Sequence, residues 1–368
     1  MYRLPRPLDA APIFAMLLMA GVLHAQEASP PPADHTPEVD ARLREGLKRF
    51  PQADTDKDGV LTIQEARAFL AQRMGSAKQA ANTSVGNNGG PTPTLADVAY
   101  GPHERNRLDF WKAKGENPAP LVVFIHGGGF VGGDKSKWRD SRALAAMLDG
   151  GFACAAINYR FRDAAPIQDI LRDSARAVQF MRSKASEWNI NKTRVAGWGG
   201  SAGAGTSLWL ASRDDLADPK SEDPICRESS RLQAAVLQAT QATYNLPRWE
   251  SFVGPPKPEW LKSPNELVEF YHFKSREELD SPQGHAILDD CDMLRWIGPG
   301  DAPLFIMVNQ PDGEPQSRGH WLHHPKHAEE IKKACDGACV KCSVTRKGDD
   351  REAVKFLMAQ LNGGGQGK

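Results

Sequence analysis

A run of small residues between an apolar segment and a helical segment most constrains how this chain folds. Residues 194–205 read R-V-A-G-W-G-G-S-A-G-A-G and contain the pattern G-x-S-x-G centred on Ser201. We expect a buried strand over residues 194–197 and a helix over 206–212. A serine on such a sharp turn has strained backbone angles, and only small neighbours fit beside it. The turn would lift the Ser201 hydroxyl out of the sheet, at the positive end of the helix.

A second glycine-rich motif precedes this turn. Residues 121–130 read L-V-V-F-I-H-G-G-G-F, which predicts a buried strand that leads directly into three glycines. Because glycines carry no side chain, their backbone N–H groups can approach a substrate carbonyl closely and stabilise a developing oxyanion. A predicted strand at 152–160 and a predicted helix at 173–188 separate the two motifs.

In these two motifs and their order, the chain resembles the α/β-hydrolase superfamily, specifically the carboxylesterase/lipase group with an H-G-G-G loop. Residues 178–212 are similar to secreted bacterial feruloyl and acetyl esterases. The resemblance spans roughly residues 95–361 and implies an α/β fold with a doubly wound, mostly parallel sheet. It also implies a serine carboxylesterase that acts on an acetyl, feruloyl or short-chain ester. Ser201 would be the nucleophile, with the N–H groups of Gly128, Gly129 and Ala202 as the oxyanion hole.

The same family places an acid after the penultimate strand and a histidine after the last one. Predicted strands at 302–308 and 342–348 make Asp312, in N-Q-P-D-G, the match for the acid. No histidine occurs beyond His327, so the expected position of the base is empty. We predict that the base has moved to His324, which precedes Pro325 at the entrance of a predicted helix over 325–335.

Other interpretations of this region remain open. His320 and His323 lie in the same loop and are alternative bases, whereas His327 lies a helical turn further on. A second interpretation is that the site has lost its base. The chain would then be a catalytically impaired α/β-hydrolase that acts as a binding or interaction module. A third interpretation is that these histidines and Asp312 bind a transition metal. The ester hydrolase itself needs no cofactor for catalysis.

An acidic twelve-residue segment near the N-terminus matches the calcium loop of an EF-hand. Residues 54–65 read D-T-D-K-D-G-V-L-T-I-Q-E, with predicted helices on both sides. The segment resembles the EF-hand family, which implies Ca²⁺ ligands at the positions of the loop that carry oxygen donors. These ligands are Asp54, Asp56, Asp58, Val60 through its carbonyl, Thr62 and Glu65. We expect a structural role for the ion, with activity largely independent of calcium.

The N-terminus has the composition of a secretory signal. Arg3 and Arg6 precede an apolar run at 11–23, and Ala25 offers a cleavage site. We therefore expect a secreted or periplasmic protein with no membrane span after signal removal, the alternative being an uncleaved N-terminal anchor. The predicted organisation is a signal peptide (1–25), a Pro-rich tether (26–37), an EF-hand unit (38–73), a flexible linker (74–95), a hydrolase domain (96–361) with a cap-like insertion (213–292), and a tail (362–368).

Charge and cysteine content limit the partners and the redox state. Lysine plus arginine and aspartate plus glutamate are equal at 46 each, so the composition does not indicate nucleic-acid binding. The expected partner is a small-molecule or polysaccharide-linked ester. Of six cysteines, Cys154 is expected to be a buried thiol, and one disulfide is expected within 335–342, with its pairing undetermined. The aromatic residues of the insertion either line a substrate pocket or form a small core of their own.

Overall fold

A computed structural model describes residues 43–44, 47–48, 51–55, 57–65, 69, 90–346 and 348–362. The chain divides into two compact units, Met1–Gly86 and Asn87–Lys368. In the first unit, a 3-10 helix at Pro51–Ala53 precedes the predicted calcium loop, and residues 63–65, the last three of that loop, are helical. The predicted signal peptide and tether, Asp56, and residues 74–89 of the predicted linker lie outside the described residues.

The described part of the second unit is built on one eight-stranded sheet with the order β1-β2-β4-β3-β5-β6-β7-β8. The pairs β1–β2 and β2–β4 are antiparallel, and all other neighbours are parallel. The strands are β1 (Leu95–Ala99), β2 (Arg107–Trp111), β3 (Ala119–Ile125), β4 (Ala153–Ile157), β5 (Ile190–Gly200), β6 (Ala234–Gln238), β7 (Leu304–Val308) and β8 (Cys342–Arg346).

Helices connect these strands. They are α1 (Arg142–Asp149), α2 (Ile167–Ser183), α3 (Ala185–Trp188), α4 (Ala202–Ser212), α5 (Glu266–Glu269), α6 (Arg276–Leu279), α7 (Pro282–Asp290), α8 (Met293–Trp296), α9 (Arg318–Leu322), α10 (Pro325–Gly337) and α11 (Asp350–Asn362). Short 3-10 helices lie at Lys135–Trp138, Pro224–Arg227, Leu246–Ser251 and Pro258–Trp260. Across the described residues, no helix is both long and apolar enough to span a bilayer.

Strand β3 shows why the sheet is covered on both faces. All seven of its residues are buried, and alternate side chains of a strand point to opposite faces. Val123 and Ile125 belong to one apolar core with Leu208 of α4, whereas Val122 and Phe124 belong to a second core with Trp198. The predicted α/β architecture with a mostly parallel sheet is therefore confirmed.

Several boundaries differ from those that the sequence predicts. The helix expected over 173–188 begins at Ile167, directly after Pro166, and ends at Ser183 before the short α3. The last strand stops at Arg346. Cys154 is a buried free thiol, as predicted. Cys335, Cys339 and Cys342 are free thiols in the structure, and Cys335 near the end of α10 is hydrogen-bonded to Cys342 at the start of β8, the two elements that the expected disulfide would join.

Candidate active site

Ser201 lies on the predicted sharp turn between β5 and α4. Its backbone angles are φ 52° and ψ −119°, a strained conformation for a residue with a side chain. The surrounding glycines are required by contact distances. A Cβ at Gly199 would lie 2.0 Å from the carbonyl oxygen of Gly203, and a Cβ at Gly203 would lie 2.0 Å from that of Ile125. Small residues therefore allow β5, β3 and α4 to converge where the serine emerges.

The glycine loop after β3 presents unpaired backbone donors beside this serine. Gly128 and Gly129 have φ of +119° and +60°, which turns the chain back on itself. The N–H groups of Gly128, Gly129 and Ala202 donate no hydrogen bond to any part of the chain that the structure describes. These are the donors predicted for the oxyanion hole, and they are free to donate hydrogen bonds to an oxyanion.

His126 and Tyr159 hold the loop in place. Tyr159 donates from its hydroxyl to the carbonyl of His126 at 2.6 Å, and the two rings stack with centroids 4.3 Å apart. His126 Nδ1 lies 2.8 Å from the carbonyl oxygen of Gly127. Burial lowers the pKa of His126 to about 4, so this ring is neutral at physiological pH.

The residue that meets the serine is His323. Its Nε2 lies 2.8 Å from Ser201 Oγ, and its Nδ1 lies 3.2 Å from the carbonyl oxygen of Gly319. Because a carbonyl oxygen can only accept, Nδ1 carries the proton and Nε2 is free to accept one from the serine. Burial lowers the pKa of His323 below its ordinary value of 6.5, which keeps the ring neutral.

The structure places His323 against Ser201, in place of the predicted His324. His324 is the N-cap of α10, where its Nδ1 accepts from the Lys326 amide at 3.1 Å. Its Nε2 lies 2.7 Å from the carbonyl oxygen of Gly313, so neither ring nitrogen is available to Ser201. Pro325 does fix the helix entrance as expected, but it directs His324 into the cap.

The other two histidines of the loop are also engaged elsewhere. His320 Nε2 lies 2.9 Å from the Pro311 carbonyl oxygen, and its Nδ1 accepts from the Gln316 amide at 3.3 Å. His327 is fully buried, and its Nδ1 accepts from the Ala242 amide at 3.2 Å. The structure does not bring the histidines and Asp312 together as the transition-metal interpretation requires, since no three His, Cys, Asp or Glu side chains of the described residues are grouped to hold a metal.

Asp312 does not orient the base, which corrects the second part of the predicted triad. Its Oδ1 lies 2.8 Å from Nη2 of Arg346, the residue that ends β8, and the hydrogen bond lowers the pKa of the carboxyl below its ordinary value. Both side chains are largely exposed. The last strand thus ends in an arginine that pairs with the predicted acid. The group that faces His323 Nδ1 is the Gly319 carbonyl.

A cavity of about 210 Å³ opens beside Ser201. Its aromatic lining residues are Phe130, Tyr244, Trp249, Phe270 and Trp321. Some aromatic residues of the insertion therefore line this cavity, and others form a core. Trp249 and Phe270 line the cavity, whereas Tyr271 packs into the main core and Trp249 also belongs to a small cluster with Val253 and Trp321.

Charged side chains of the same cavity were not identified from the sequence. Arg162, Lys262, Glu266 and Arg318 line it together with the aromatic residues. These four residues come from the loop after β4, from the insertion and from the start of α9. No motif marks them, because they are brought together only by tertiary packing.

In the first unit, the predicted calcium loop is closed by hydrogen bonds. Asp54 accepts from the amides of Lys57 and Gly59 at 2.7 and 3.0 Å. Glu65 Oε1 accepts from the amide and hydroxyl of Thr55, and its Oε2 accepts from those of Thr62. These hydrogen bonds lower the pKa of Glu65 to about 2, and the bond from the Thr62 amide has the largest effect. Among the described residues, no three His, Cys, Asp or Glu side chains are grouped closely enough to hold a metal ion, and Asp56 is outside the described residues.

Comparisons with known proteins point to the same fold. The profile of a family described as BD-FAE matches residues 108–244. "Probable carboxylic ester hydrolase LipM" of Mycobacterium tuberculosis is 30% identical over 144 residues, which are 38% of this chain and 33% of that protein. "Probable isoprenylcysteine alpha-carbonyl methylesterase ICMEL1" of Arabidopsis thaliana is 27% identical over 138 residues, 37% of this chain and 29% of that protein. The chain thus spans a third or less of these curated relatives.

A solved structure extends the likeness over most of the chain. A "truncated form of carbohydrate esterase from gut microbiota" superposes with a TM-score of 0.59 and 16% identity. The superposition covers 75% of this chain and 98% of that one. Together with the sheet order and the turn at Ser201, this likeness shows an α/β-hydrolase fold.

Proposed function

We propose that the protein is an exported serine hydrolase of carboxylic esters. The observation that carries this proposal is the 2.8 Å approach of Ser201 Oγ to His323 Nε2, beside three unpaired backbone N–H groups. A nucleophile within hydrogen-bond reach of a neutral base, facing an oxyanion hole, is the arrangement that acyl transfer requires. The names of the curated relatives, both of which describe ester hydrolysis, support the same reaction class.

The reaction proceeds in two halves. Ser201 Oγ attacks the acyl carbon while His323 Nε2 accepts the hydroxyl proton, and the amides of Gly128, Gly129 and Ala202 hold the oxyanion. Collapse of the tetrahedral intermediate breaks the ester C–O bond, and His323 gives its proton to the departing alcohol. Water then attacks the acyl-serine with His323 again as base, which releases the acid and restores the serine.

The group that orients His323 limits the expected rate of ester hydrolysis. A carbonyl oxygen fixes the tautomer, but it carries no full negative charge to stabilise the imidazolium that forms in the transition state. In a serine protease, an aspartate-to-asparagine change at the corresponding position lowers kcat by about 10⁴ because it favours the wrong tautomer, a loss that the Gly319 carbonyl avoids here. The missing negative charge remains, so we expect turnover below that of an enzyme with a complete triad.

This missing carboxylate also favours a second candidate, the catalytically impaired hydrolase that acts as a binding module. The two candidates differ in whether the Ser201 hydroxyl is activated. Hydrolysis of 4-nitrophenyl acetate by the full-length protein, with Ser201→Ala as control, separates them. Serine-dependent turnover and stoichiometric labelling of Ser201 by a fluorophosphonate support the hydrolase, whereas equal rates for the two proteins and no labelling support the binding module.

For the substrate, we propose an acetyl, feruloyl or other short-chain ester, free or linked to a polysaccharide. The aromatic walls of the 210 Å³ cavity suit a small acyl or aryl group, since an engineered cavity of about 150 Å³ holds one benzene. A panel of acetyl, butyryl and feruloyl esters would rank these groups by kcat/KM.

We also propose that residues 54–65 bind Ca²⁺ through Asp54, Asp56, Asp58, Val60, Thr62 and Glu65. The donor set is all oxygen, which suits a hard cation. The hydrogen bonds that Asp54 accepts from the backbone amides of Lys57 and Gly59 support a tight acidic turn. To act as a bidentate ligand, Glu65 would exchange its bonds to Thr55 and Thr62 for the ion.

Calorimetric titration of the full chain with CaCl₂ tests this proposal. We expect the parent to bind one ion and Glu65→Gln to bind it much more weakly, since that carboxylate supplies two of the oxygens. Equal affinity of the two proteins would remove Glu65 from the site. Esterase rates with and without a chelator should agree, because we propose a structural role for the ion.

Export is proposed from the N-terminal sequence, with cleavage after Ala25. N-terminal sequencing of the protein recovered outside the cytoplasm should begin at Gln26. A protein that retains residues 1–25 would instead indicate an uncleaved anchor.

A further inference from the structure

The wall of the cavity beside Ser201 carries an excess of positive charge. Arg162, Lys262 and Arg318 line it, and Glu266 is the one carboxylate among its described lining residues. Glu269, which is exposed and outside the lining, is the next acid that acts on Arg162. A predominantly aromatic cavity rarely holds so many charges unless they are paired with one another or with a ligand.

The hydrogen bonds that Glu266 accepts come from partners other than Arg162. Arg318 donates to both carboxylate oxygens of Glu266, at 2.8 and 2.7 Å, in a bidentate pair. The Lys262 amide donates to the same carboxylate at 2.7 Å. Burial alone would raise the pKa of Glu266, but these hydrogen bonds outweigh it and hold the pKa below the ordinary value. The glutamate is therefore a charged anchor for Arg318.

Arg162 is the cation that this arrangement leaves incompletely paired. Its Nη2 is 3.6 Å from Glu266 Oε1, too long for a hydrogen bond, and its Nε is buried with no hydrogen-bond partner in the described chain. Its backbone is fixed, because its amide donates to the Phe130 carbonyl at 2.8 Å, next to the oxyanion glycines. The guanidinium also lies 5.4 Å from the centroid of the Phe270 ring. A guanidinium that is 19% exposed, fixed through its backbone at the cavity wall and incompletely paired is suited to bind an anion.

We propose that this cavity selects esters that carry a carboxylate group, which Arg162 binds while the aromatic walls hold the rest of the group. The inference rests on the proposed ester hydrolysis and adds a substrate class to it. The carboxylate lies on either the acyl or the alcohol side of the ester, and the test below has an arm for each. At about 210 Å³, the cavity accommodates a substituted aromatic ring.

Two pairs of isosteric esters test the proposal on the full-length protein. For the alcohol side, 4-acetoxybenzoate is compared with 4-acetoxybenzamide. For the acyl side, methyl 4-carboxybenzoate is compared with methyl 4-carbamoylbenzoate. Within each pair the shapes are closely matched, so the change in the kcat/KM ratio of the anionic and neutral esters between the parent and the Arg162 variants measures charge recognition.

We expect the anionic ester of at least one pair to be preferred by roughly tenfold or more, because hydrogen bonds to charged groups are strong. Arg162→Gln should remove most of that preference, and Arg162→Lys should restore part of it. Arg276→Gln, which breaks an exposed pair with Asp280 outside the cavity lining, should leave the preference unchanged. A purely structural role of Arg162 would lower both rates of a pair and leave their ratio unchanged.

The outcomes separate this inference from the proposed function. Serine-dependent hydrolysis of the neutral esters with no anionic preference overturns the inference and keeps the esterase. If no ester is hydrolysed, calorimetry with terephthalate and with 4-carbamoylbenzamide decides it. Tighter binding of the dianion that is lost in Arg162→Gln supports the anion site, and equal or undetectable binding of the two overturns it.

Discussion

The imidazole of His323 is oriented by the carbonyl oxygen of Gly319, which lies 3.2 Å from Nδ1 and one helical turn earlier in α9. The base and its support therefore belong to the same five-residue helix and its C-cap. This arrangement fixes the reactive tautomer through backbone geometry alone. It provides no negative charge that would raise the pKa of the ring, so burial determines the direction of the shift.

The pH dependence of hydrolysis should reflect this support. Burial lowers the pKa of His323 below 6.5, and the base works only when neutral, so activity is present above its pKa and lost as the pH falls through it. We expect the acidic limb of kcat/KM for 4-nitrophenyl acetate to have its midpoint below 6.5. A midpoint above 6.5 would indicate that a carboxylate stabilises the imidazolium.

Substitution of neighbouring histidines should separate catalysis from structure. His323→Ala removes the general base and should lower kcat/KM by about 10²–10⁴. His324→Ala removes a helix cap and should lower the free energy of unfolding by about 1 kcal/mol while most activity remains. Ester assays and urea unfolding of both variants check this, and a larger loss of activity in His324→Ala would reverse the assignment.

The acid predicted from the sequence should prove dispensable. Asp312 forms an exposed pair with Arg346, and such pairs contribute little. Asp312→Asn should therefore change kcat/KM by less than about twofold, measured beside Ser201→Ala. A loss of several orders of magnitude would show that Asp312 reaches His323 during the reaction.

The parts of the site that the sequence predicts are those encoded by contiguous residues. The turn at Ser201 and the glycine loop after β3 depend on short-range steric demands, so their residue types are visible in the motifs. The histidine that contacts Ser201 lies in the predicted loop, but it is His323 and not the predicted His324. Four histidines occur within 320–327, and which one faces Ser201 depends on the short helix α9, which no sequence pattern indicated.

The acid and the cavity charges were beyond sequence reasoning for a different reason. Asp312 occupies the expected position in the chain, but its partner is decided by Arg346 at the end of a neighbouring strand. Arg162 and Glu266 are about a hundred residues apart and meet only through the fold of the insertion. Their pairing depends on tertiary distances, which neither composition nor periodicity records.

Two glycines of the turn motif offer a matched test of the packing around Ser201. Gly203 lies within α4, where alanine would ordinarily be favoured over glycine by up to about 1 kcal/mol. Here a Cβ would lie 2.0 Å from the carbonyl oxygen of Ile125, so we expect Gly203→Ala to lower the free energy of unfolding by about 1–3 kcal/mol. Gly200→Ala is the control, since a Cβ there meets nothing within 4 Å. Urea unfolding of the two variants measures the difference. If Gly203→Ala were as stable as Gly200→Ala, the close approach of α4 to β3 would be wrong, and with it the position of the Ser201 hydroxyl.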